Sequence, residues 1–430
     1  MTVSETLLVV GAGNAGSELA VASRLAGWVG PIVMIGDESH LPYHRPPLSK
    51  AFLSGAATSE SLTMRPVAAY EKAAVTLRLN TRVTAIDRAA KTVRLSDGSS
   101  LHYSKLALCT GGRPRILAGA GLPRDSTPPN LHVLRTQDDA DAIRAGLGAD
   151  VRLVIVGGGY IGLEVAASAR QMGAIVTVLE SQSRVLARVA GPVLSAFFEA
   201  VHQEEGVDIR CGVAVERFEC DESGMVRAVV CRDGERIEVD SVVIGIGMLP
   251  NVELAEAAGL MVDGGIVVDE HSLTSDLDIV AAGDCTVHDH ALYRRRVRLE
   301  SVPNALEQAR AAASGLCGKP KPNRSVPWFW SDQYELKLQM VGLSGGFEHC
   351  VLRGTPGSRH FIAFYVKGGV VIAADAVNRP ADFMIAKKLV AAALPIHLAE
   401  LSDESIPLKN MLPVKAVAAV NSPKVSAPLD

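Results

Sequence analysis

Apolar residues recur along this chain in short runs, and each of two such runs is followed by a helical pattern. The run Leu7–Val10 precedes a helical pattern at residues 15–27, and a second apolar run follows at Ile32–Ile35. The same order returns with an apolar run at residues 153–156, a helical pattern at 161–173 and a further run at 176–179. This alternation predicts an α/β fold with parallel sheets covered by helices.

Each leading run ends in a glycine-rich turn. The motif G-A-G-N-A-G begins at Gly11 and the motif G-G-G-Y-I-G begins at Gly157, 146 positions later. Glycines at this spacing permit a tight turn, a close approach of pyrophosphate to the backbone and close packing of the helix on the strand. Two such motifs, each between a strand and a helix, predict two Rossmann-like dinucleotide-binding domains and therefore electron transfer between two nucleotide cofactors.

An acidic residue about 20 positions after each motif is expected to bind ribose hydroxyls. Asp37 and Glu180 stand 21 and 18 positions after the last glycine of their motifs. A carboxylate at Glu180 favours NADH over NADPH, because it accepts a hydrogen bond from a free 2′-hydroxyl and repels a 2′-phosphate. Arg184 and Arg188 lie nearby and could receive a phosphate, so NADPH remains the alternative.

Later runs indicate how the domains are arranged. Runs at residues 106–109 and 242–246 end in glycine-rich segments that would cross between the two nucleotide-binding domains. A further run ends at Gly283-Asp284 and belongs most naturally to the first domain. We therefore predict a discontinuous first domain at 1–113 and 248–324, with the second domain inserted at 114–247. Residues 325–411 would form a smaller α+β domain, and residues 412–430 a disordered tail.

Composition narrows the class of protein. The 430 residues are 48% hydrophobic and 21% charged, which is ordinary for a globular protein, and the formal net charge of -4 argues against nucleic acid as a partner. No apolar run reaches the ~18 residues that span a bilayer, and the first strand begins too early to leave room for a signal peptide. We expect a soluble, cytoplasmic protein.

The cysteines and histidines argue against two other kinds of site. The seven cysteines include no Cys-x-x-Cys pair, and residues 37–70 contain none, which disfavours a flavoprotein disulfide reductase. We expect free thiols. His288 and His290 are neighbours without supporting ligands, so we predict no metal site.

Longer strings are more specific than the glycine motifs. R-P-P-L-S-K ends at Lys50, Y-I-G-L-E ends at Glu164, A-G-D-C includes Asp284, E-S-V-P-N-A-L-E-Q begins at Glu300, and P-W-F-W-S-D-Q includes Trp330. With these strings, residues 7–411 resemble the FAD-dependent ferredoxin reductases of bacterial oxygenase systems. The resemblance implies a glutathione-reductase-like arrangement of an FAD domain, an inserted NADH domain and a C-terminal domain. It also implies hydride transfer from NADH to FAD, followed by single-electron transfer to a [2Fe–2S] ferredoxin that serves a cytochrome P450 or another oxygenase.

The resemblance implies roles for particular residues. The implied FAD-binding residues are Gly11, Gly13, Ala15, Gly16, Asp37, Lys50, Val83, Arg135, Asp284 and Val302. The implied NADH-binding residues are Gly157, Gly159, Ile161, Gly162, Glu180, Arg188 and Gly247. The implied catalytic residues are Lys50, Glu164, Glu300 and Trp330.

Those four residues would act in two places. Lys50 and Glu164 would pair beside the flavin N5, and Glu300 and Trp330 would lie where nicotinamide stacks on the flavin. Without the resemblance, the first two are more simply a surface lysine and an ordinary helix glutamate, and Trp330 a core aromatic. A helix beginning near Ser301 would stabilise negative charge on the reduced flavin.

The implied acceptor is an acidic [2Fe–2S] ferredoxin, which requires a basic patch that the overall charge does not suggest. Candidate docking residues are Arg65, Arg310, Lys387, Lys388 and Lys409, although a solvated surface explains them equally. We expect a monomer or weak dimer. Two alternatives remain, a rubredoxin reductase on the same fold and a redox-sensing flavoprotein related to apoptosis-inducing factor, which would dimerise on reduction.

Overall fold

A computed structural model describes residues 5–117, 120–122 and 127–412 of the chain. The chain divides into two compact units. Of the described residues, one unit contains those up to Val185 together with Val201–Ser325, and the other contains Leu186–Ala200 together with those from Val326 to Leu412. Apart from Leu412, the predicted tail lies outside the described residues.

The first unit contains a parallel sheet built on the first glycine motif. Its five strands are, in spatial order, Ile279–Ala281, Lys105–Leu108, Leu7–Val10, Ile32–Ile35 and Val75–Arg78. The apolar run at its centre is buried on both faces, as a sheet covered by helices requires. Helices Asn14–Ala26 and Val302–Leu316 contribute small and aliphatic side chains to one core beside it. The strand that precedes Gly283 therefore joins the sheet of the first motif, as the sequence predicts.

A second parallel sheet carries the second motif. Its strands are, in spatial order, Asp208–Cys211, Ile175–Glu180, Arg152–Val156, Ser241–Ile244 and Leu131–Val133. Helix Tyr160–Gln171 begins directly after the glycine turn, and helix Gln137–Ala145 begins with a capping box between Thr136 and Asp139. A further helix, Pro192–Glu204, is divided between the two units after Ala200. The fold class predicted from the alternating pattern is confirmed.

The sequence did not reveal a two-stranded ribbon and three small sheets, whose strand pairs are antiparallel except for the parallel pair of Ile266–Val268 with Thr286–His290. The two crossing segments pair as a ribbon of Gly112–Pro114 with Met248–Pro250. Each of the three small sheets has three strands. The first contains Val83–Asp87, Thr92–Leu95 and Ser100–His102, and the second contains Val215–Cys220, Val226–Cys231 and Arg236–Glu238. The third contains Ile266–Val268, Thr286–His290 and Arg295–Val297. Short helical segments are Pro46–Ser49, Ser59–Leu62, Val67–Lys72 and Glu253–Ala257.

The second unit is an antiparallel sheet with helices, which is the predicted α+β type. Its strands are, in spatial order, Trp328–Gln333, Leu336–Gly342, Val370–Val377, His360–Lys367 and His349–Thr355. Its helical segments are Pro356–Ser358, Pro380–Ala392, Leu398–Ser402 and Leu408–Met411. The buried Arg353 joins the sheet to the connection between the last two of these segments by donating to the carbonyl oxygens of Asp403 and Ile406, at 2.7 and 2.8 Å.

The segment Leu186–Ala200 packs within this second unit. A Cβ atom on Gly191 would lie 2.6 Å from the hydroxyl oxygen of Tyr365, so only glycine fits there. The rings of Phe197 and Phe361 meet edge to face, with their centroids 5.0 Å apart. The predicted bounds place this segment in the NADH domain, because nothing in its local pattern indicates its distant partners. The exact domain bounds remain predictions.

Within the described part of the chain, no helix is both long enough and apolar enough to cross a membrane. Nor do three or more His, Cys, Asp or Glu side chains of those residues come together as a possible metal site. All seven cysteines, which are among the described residues, are free thiols.

A buried carboxyl in the second unit generates a stability prediction. Asp375 is buried and accepts a hydrogen bond of 2.7 Å from the hydroxyl of Tyr365, and burial raises the pKa of Asp375 from 3.8 to about 7. The folded state therefore binds more protons than the unfolded state between about pH 4 and pH 7, and stability falls as pH rises through that window. We expect Asp375→Asn to raise the free energy of unfolding at pH 8 by up to about 4 kcal/mol, and by much less at pH 4.

Denaturant unfolding at several pH values tests this expectation. Asp403 is the matched control, because hydrogen bonds from the side chain and backbone of Ser405 lower its pKa. Asp403→Asn should bring no such gain at pH 8. An equal gain for Asp375→Asn at both pH extremes would contradict the titration argument.

Candidate active site

The two glycine turns have the same backbone geometry. Gly11 and Gly157 adopt φ angles of 108° and 112°, a region that favours glycine. A Cβ atom on Gly16 would lie 1.9 Å from the carbonyl oxygen of Gly11, and one on Gly162 would lie 2.1 Å from that of Gly157. Each helix therefore packs on its strand at a separation that excludes any side chain.

The middle glycine of each turn faces open space. A Cβ atom on Gly13 would have no neighbour within 4 Å among the described residues, and one on Gly159 would only reach the carbonyl oxygen of Gly245 at 4.0 Å. Neither of these N-cap glycines supplies a side-chain cap, so the first N–H groups of both helices point at the open side. The buried Oδ1 of Asn14 also has no hydrogen-bond partner within the described part of the chain. Both turns fit the pyrophosphate of a dinucleotide.

The acidic residues predicted to follow each turn differ in their surroundings. The Asp37 carboxylate pairs with Arg82 at 2.8 Å, and both side chains are largely exposed. The Glu180 carboxylate instead accepts hydrogen bonds of 2.8 Å from the backbone N–H groups of Gly158 and Gln182. Glu180 is therefore held in place against the second glycine turn, where a ribose would lie.

Two residues predicted to complete the first site are distant in sequence but close in the structure. Arg135 donates to the Asp284 carboxylate at 3.1 Å, so two residues of the predicted FAD set are neighbours. Helix Val302–Leu316 begins after Ser301, whose hydroxyl accepts from the backbone N–H of Asn304 at 3.3 Å. The helix start predicted here is present, and it lies in the same compact unit as the first glycine turn.

Lys50 and Glu164 form the predicted ion pair, with Nζ 2.6 Å from Oε2. Lys50 ends the short helix Pro46–Ser49, and Glu164 lies on the helix after the second glycine turn. Ser49 Oγ donates to the same carboxylate at 2.5 Å. The Glu164 side chain is 1% exposed and that of Lys50 is 18% exposed. The pair therefore joins the two nucleotide-binding parts of the first unit.

A second charged network lies beside Arg135 and was missed by the sequence analysis. Arg45 donates to the Arg135 carbonyl oxygen at 2.7 Å and pairs with Glu38 at 2.5 Å. Tyr43 donates to Glu38 at 2.6 Å, and its ring lies under the Arg45 guanidinium. Burial opposes the charge of Arg45, but Tyr43, Glu38 and Asp284 together raise its pKa above the ordinary value. The only sign of this network in the sequence was that Arg45 begins the R-P-P-L-S-K string, one of the strings on which the resemblance rests.

The remaining predicted residues are more scattered. Val83 is buried at the start of its strand, Ile161 is exposed, and Glu300 pairs with Arg298. Trp330 and Arg188 belong to the second unit, where the Trp330 and Trp328 rings are 5.6 Å apart. The cofactor contacts of these residues, and those of Ala15, Val302 and Gly247, remain predictions.

The candidate docking residues also have partners. Arg65 and Arg310 both contact the carboxylate of Glu18, at 2.6 and 2.8 Å, and Arg310 also contacts Glu307 at 2.9 Å. Desolvation alone would raise the pKa of Glu18, but the hydrogen bonds and charges of the two arginines lower it overall. In the second unit, the Lys387 ammonium lies 4.4 Å from the centroid of the Trp328 ring, while Lys388 lies on the same helix and Lys409 in the last helical segment.

Comparison with protein families identifies both parts of the chain. Residues 5–309 match the pyridine nucleotide-disulphide oxidoreductase family, and residues 328–412 match the reductase C-terminal family. The first match covers well over half of the chain. It contains both glycine turns and the Lys50–Glu164 pair.

Individual relatives extend the similarity to nearly the whole chain. Putidaredoxin reductase of Pseudomonas putida is 49% identical, with 96% of this chain and 98% of that protein covered. Rhodocoxin reductase of Rhodococcus erythropolis is 41% identical, with 94% and 93% covered. The crystal structure of the covalent putidaredoxin reductase–putidaredoxin complex is similar, with a TM-score of 0.92, 48% identity, and 98% and 100% covered. The chain belongs to the pyridine nucleotide-disulphide oxidoreductase family, and within it to the putidaredoxin reductase-like flavoproteins that carry a reductase C-terminal domain.

Proposed function

We propose that this protein is an FAD-dependent NADH:ferredoxin oxidoreductase that supplies electrons to a cytochrome P450 or another oxygenase. The main observation behind the proposal is that two glycine turns of the same geometry lie in parts of the first unit that the Lys50–Glu164 ion pair joins. The chain is also similar over nearly its whole length to putidaredoxin reductase. When bound, FAD accepts a hydride from NADH and releases electrons singly to an iron–sulfur protein. We also propose that the protein acts in the cytoplasm as a monomer or weak dimer.

The first glycine turn would hold FAD. The N–H groups at the start of helix Asn14–Ala26 would bind the pyrophosphate, and Asp284, oriented by Arg135, would bind the ribityl hydroxyls. The N-terminus of helix Val302–Leu316 would place the positive end of its dipole toward the flavin and favour negative charge there. These elements bind and orient, and none of them needs to transfer a proton.

The Lys50–Glu164 pair would fix a positive charge beside the reacting end of the flavin. Glu164 is buried and also accepts from Ser49, so the Lys50 ammonium has a rigid partner. Its position is further restricted by donation to the Pro46 carbonyl oxygen at 3.0 Å. A fixed charge stabilises charge that develops during transfer, because little reorganisation is needed. The pair would act by electrostatics, with no proton transfer assigned to it.

The partner would be an acidic [2Fe–2S] ferredoxin. Arg310 keeps its guanidinium half exposed while Glu18 and Glu307 orient it, and Arg65 shares Glu18. Oriented arginines are well suited to recognise carboxylates. The structural similarity to a reductase in complex with putidaredoxin supports a ferredoxin rather than a rubredoxin as the acceptor.

Purified protein tests the function directly. We expect FAD in the protein and rapid NADH-dependent reduction of at least one member of a panel of [2Fe–2S] ferredoxins. Faster reduction of rubredoxin would favour the rubredoxin reductase alternative. A long-lived reduced complex that dimerises and turns over slowly with every acceptor would favour the redox-sensing alternative.

Lys50 and Glu164 can be tested by a double-mutant cycle. Lys50→Met leaves a buried carboxylate without its ion-pair partner, so we expect a loss of about 3–5 kcal/mol in the free energy of unfolding. Lys50→Met combined with Glu164→Gln should recover most of that stability. Flavin reduction by NADH, followed by stopped-flow absorbance, should remain at least about tenfold slow in the double variant. Reduction at the wild-type rate by a stable double variant would show that the pair is only structural.

Glu180 should set the preference for NADH. We expect Glu180→Ala to raise the ratio of kcat/KM for NADPH to that for NADH by about tenfold or more, because a carboxylate no longer repels the 2′-phosphate. Steady-state kinetics with both nucleotides and a fixed acceptor measures this ratio. Asp37→Asn, at the corresponding position of the first turn, is the control and should leave the ratio unchanged. An unchanged ratio in Glu180→Ala would contradict the assignment.

Ferredoxin docking should depend on Arg310. We expect Arg310→Ala to lower kcat/KM for the ferredoxin about three- to tenfold relative to the rate with ferricyanide, with a larger effect at low salt. The control is Arg152→Gln, because Arg152 also pairs with two carboxylates, those of Glu238 and Asp240, and lies on the second sheet. Equal effects of both substitutions, or no dependence on ionic strength, would count against docking at Arg310.

A further inference from the structure

The side chain of Gln308 is buried at the centre of a set of hydrogen bonds behind the Gly283-Asp284 turn. Gln308 lies on helix Val302–Leu316 and is 2% exposed. Its Oε1 accepts from the Gly283 backbone N–H at 2.9 Å and from Asn304 Nδ2 at 3.2 Å. Thr286 Oγ1 lies 2.9 Å from the same oxygen. The Gln308 amide therefore links the Gly283-Asp284 turn to helix Val302–Leu316 by a hydrogen bond.

The orientation of this amide follows from its neighbours. A backbone N–H can only donate, so the oxygen of the Gln308 amide must face Gly283. The Gln308 Nε2 then faces His288 Nδ1 at 3.4 Å, which requires a neutral His288 that accepts at Nδ1 and carries its proton on Nε2. Burial lowers the pKa of His288, with a smaller contribution from His290, and both favour this neutral form.

The other side of the turn is equally restricted. Gly283 adopts a φ angle of 92°, and a Cβ atom on it would lie 3.1 Å from the Cβ of Ala15, which is on the helix of the first glycine motif. Gly283 is thus enclosed between Ala15 on one helix and Gln308 on the other. Asp284, the next residue, is oriented by Arg135. A shift of the Gly283 N–H would move the Asp284 carboxylate with it.

We propose that Gln308 is a positioning residue for FAD, which holds the Gly283-Asp284 turn so that the Asp284 carboxylate is correctly placed for the ribityl chain. Gln308 itself is too deeply buried behind the turn to serve as a direct ligand. The role follows because the buried backbone N–H of Gly283 needs a hydrogen-bond acceptor. An apolar side chain at position 308 could not supply one. The proposal concerns retention of the cofactor and is independent of which protein accepts the electrons.

Release of FAD from the holoenzyme after dilution, followed by the rise in flavin fluorescence, tests the proposal. We expect Gln308→Met, which has similar size but no amide oxygen, to weaken FAD binding about tenfold or more. Gln308→Glu keeps an oxygen acceptor for Gly283, and its second carboxyl oxygen can share a proton with His288 Nδ1. We expect this conservative variant to retain FAD within about threefold of the wild type.

A control separates positioning from general destabilisation. Asn130 is a buried amide directly before strand Leu131–Val133 of the second sheet, and it donates to the carbonyl oxygens of Val226 and Asp240 and accepts from the Val226 N–H, at 2.8–2.9 Å. Asn130→Leu should lower the unfolding temperature without changing FAD affinity. The proposal is overturned if Gln308→Met retains FAD like the wild type, if Gln308→Glu is as weak as Gln308→Met, or if Asn130→Leu releases FAD as readily. None of these measurements uses a ferredoxin, so they stand apart from the test of the proposed function.

Discussion

The close approach of helix to strand at the two glycine turns is the constraint on which the remaining architecture depends. At Gly16 and Gly162 there is no room for even one carbon atom between the helix and the carbonyl oxygen of the preceding turn. This contact brings the helix N-terminus to the edge of the parallel sheet, where its unpaired N–H groups can bind phosphate. Because both turns have the same geometry, the chain presents two equivalent anion-binding ends. The differences between the two sites must therefore come from residues farther along the chain.

The residues predicted to complete the two sites differ in how far they lie from their glycine motifs. Asp284 and Arg135, which we propose for the first site, pair with each other and come from segments more than a hundred residues from its motif. At the second site, the acidic residue Glu180 is held by the N–H of Gly158, within the motif itself, and by that of Gln182. The residues proposed for the first site are therefore drawn from several segments, whereas the contacts that hold Glu180 are local to the second site.

The sequence predicted what depends on local pattern and missed what depends on distant partners. The strand Leu7–Val10 was predicted at its observed bounds, and the predicted helix at 161–173 is observed at Tyr160–Gln171, because apolar periodicity and glycine turns act over a few residues. The Lys50–Glu164 pair was found only through the resemblance, since 114 positions separate the two residues. The network of Arg45 with Glu38, and the packing of segment 186–200 on Tyr365, carried no local signal. Buried polar contacts between segments that are far apart in the sequence leave no periodic pattern of residues, so periodicity cannot predict them.

The ion pairs of this protein also show what its net charge leaves out. The formal charge of -4 is a sum over the whole chain, so it does not show where individual ion pairs lie. Around Glu18, two arginines share one carboxylate, so local geometry rather than total charge decides which guanidinium faces solvent. Around Arg45, burial makes the ion pair depend on complete hydrogen bonding, because an unpaired charge there would be strongly unfavourable. Arg45 also donates to the Arg135 carbonyl oxygen, and Arg135 donates to Asp284, so the placement of the Asp284 carboxylate depends on a series of charged contacts that must all form together.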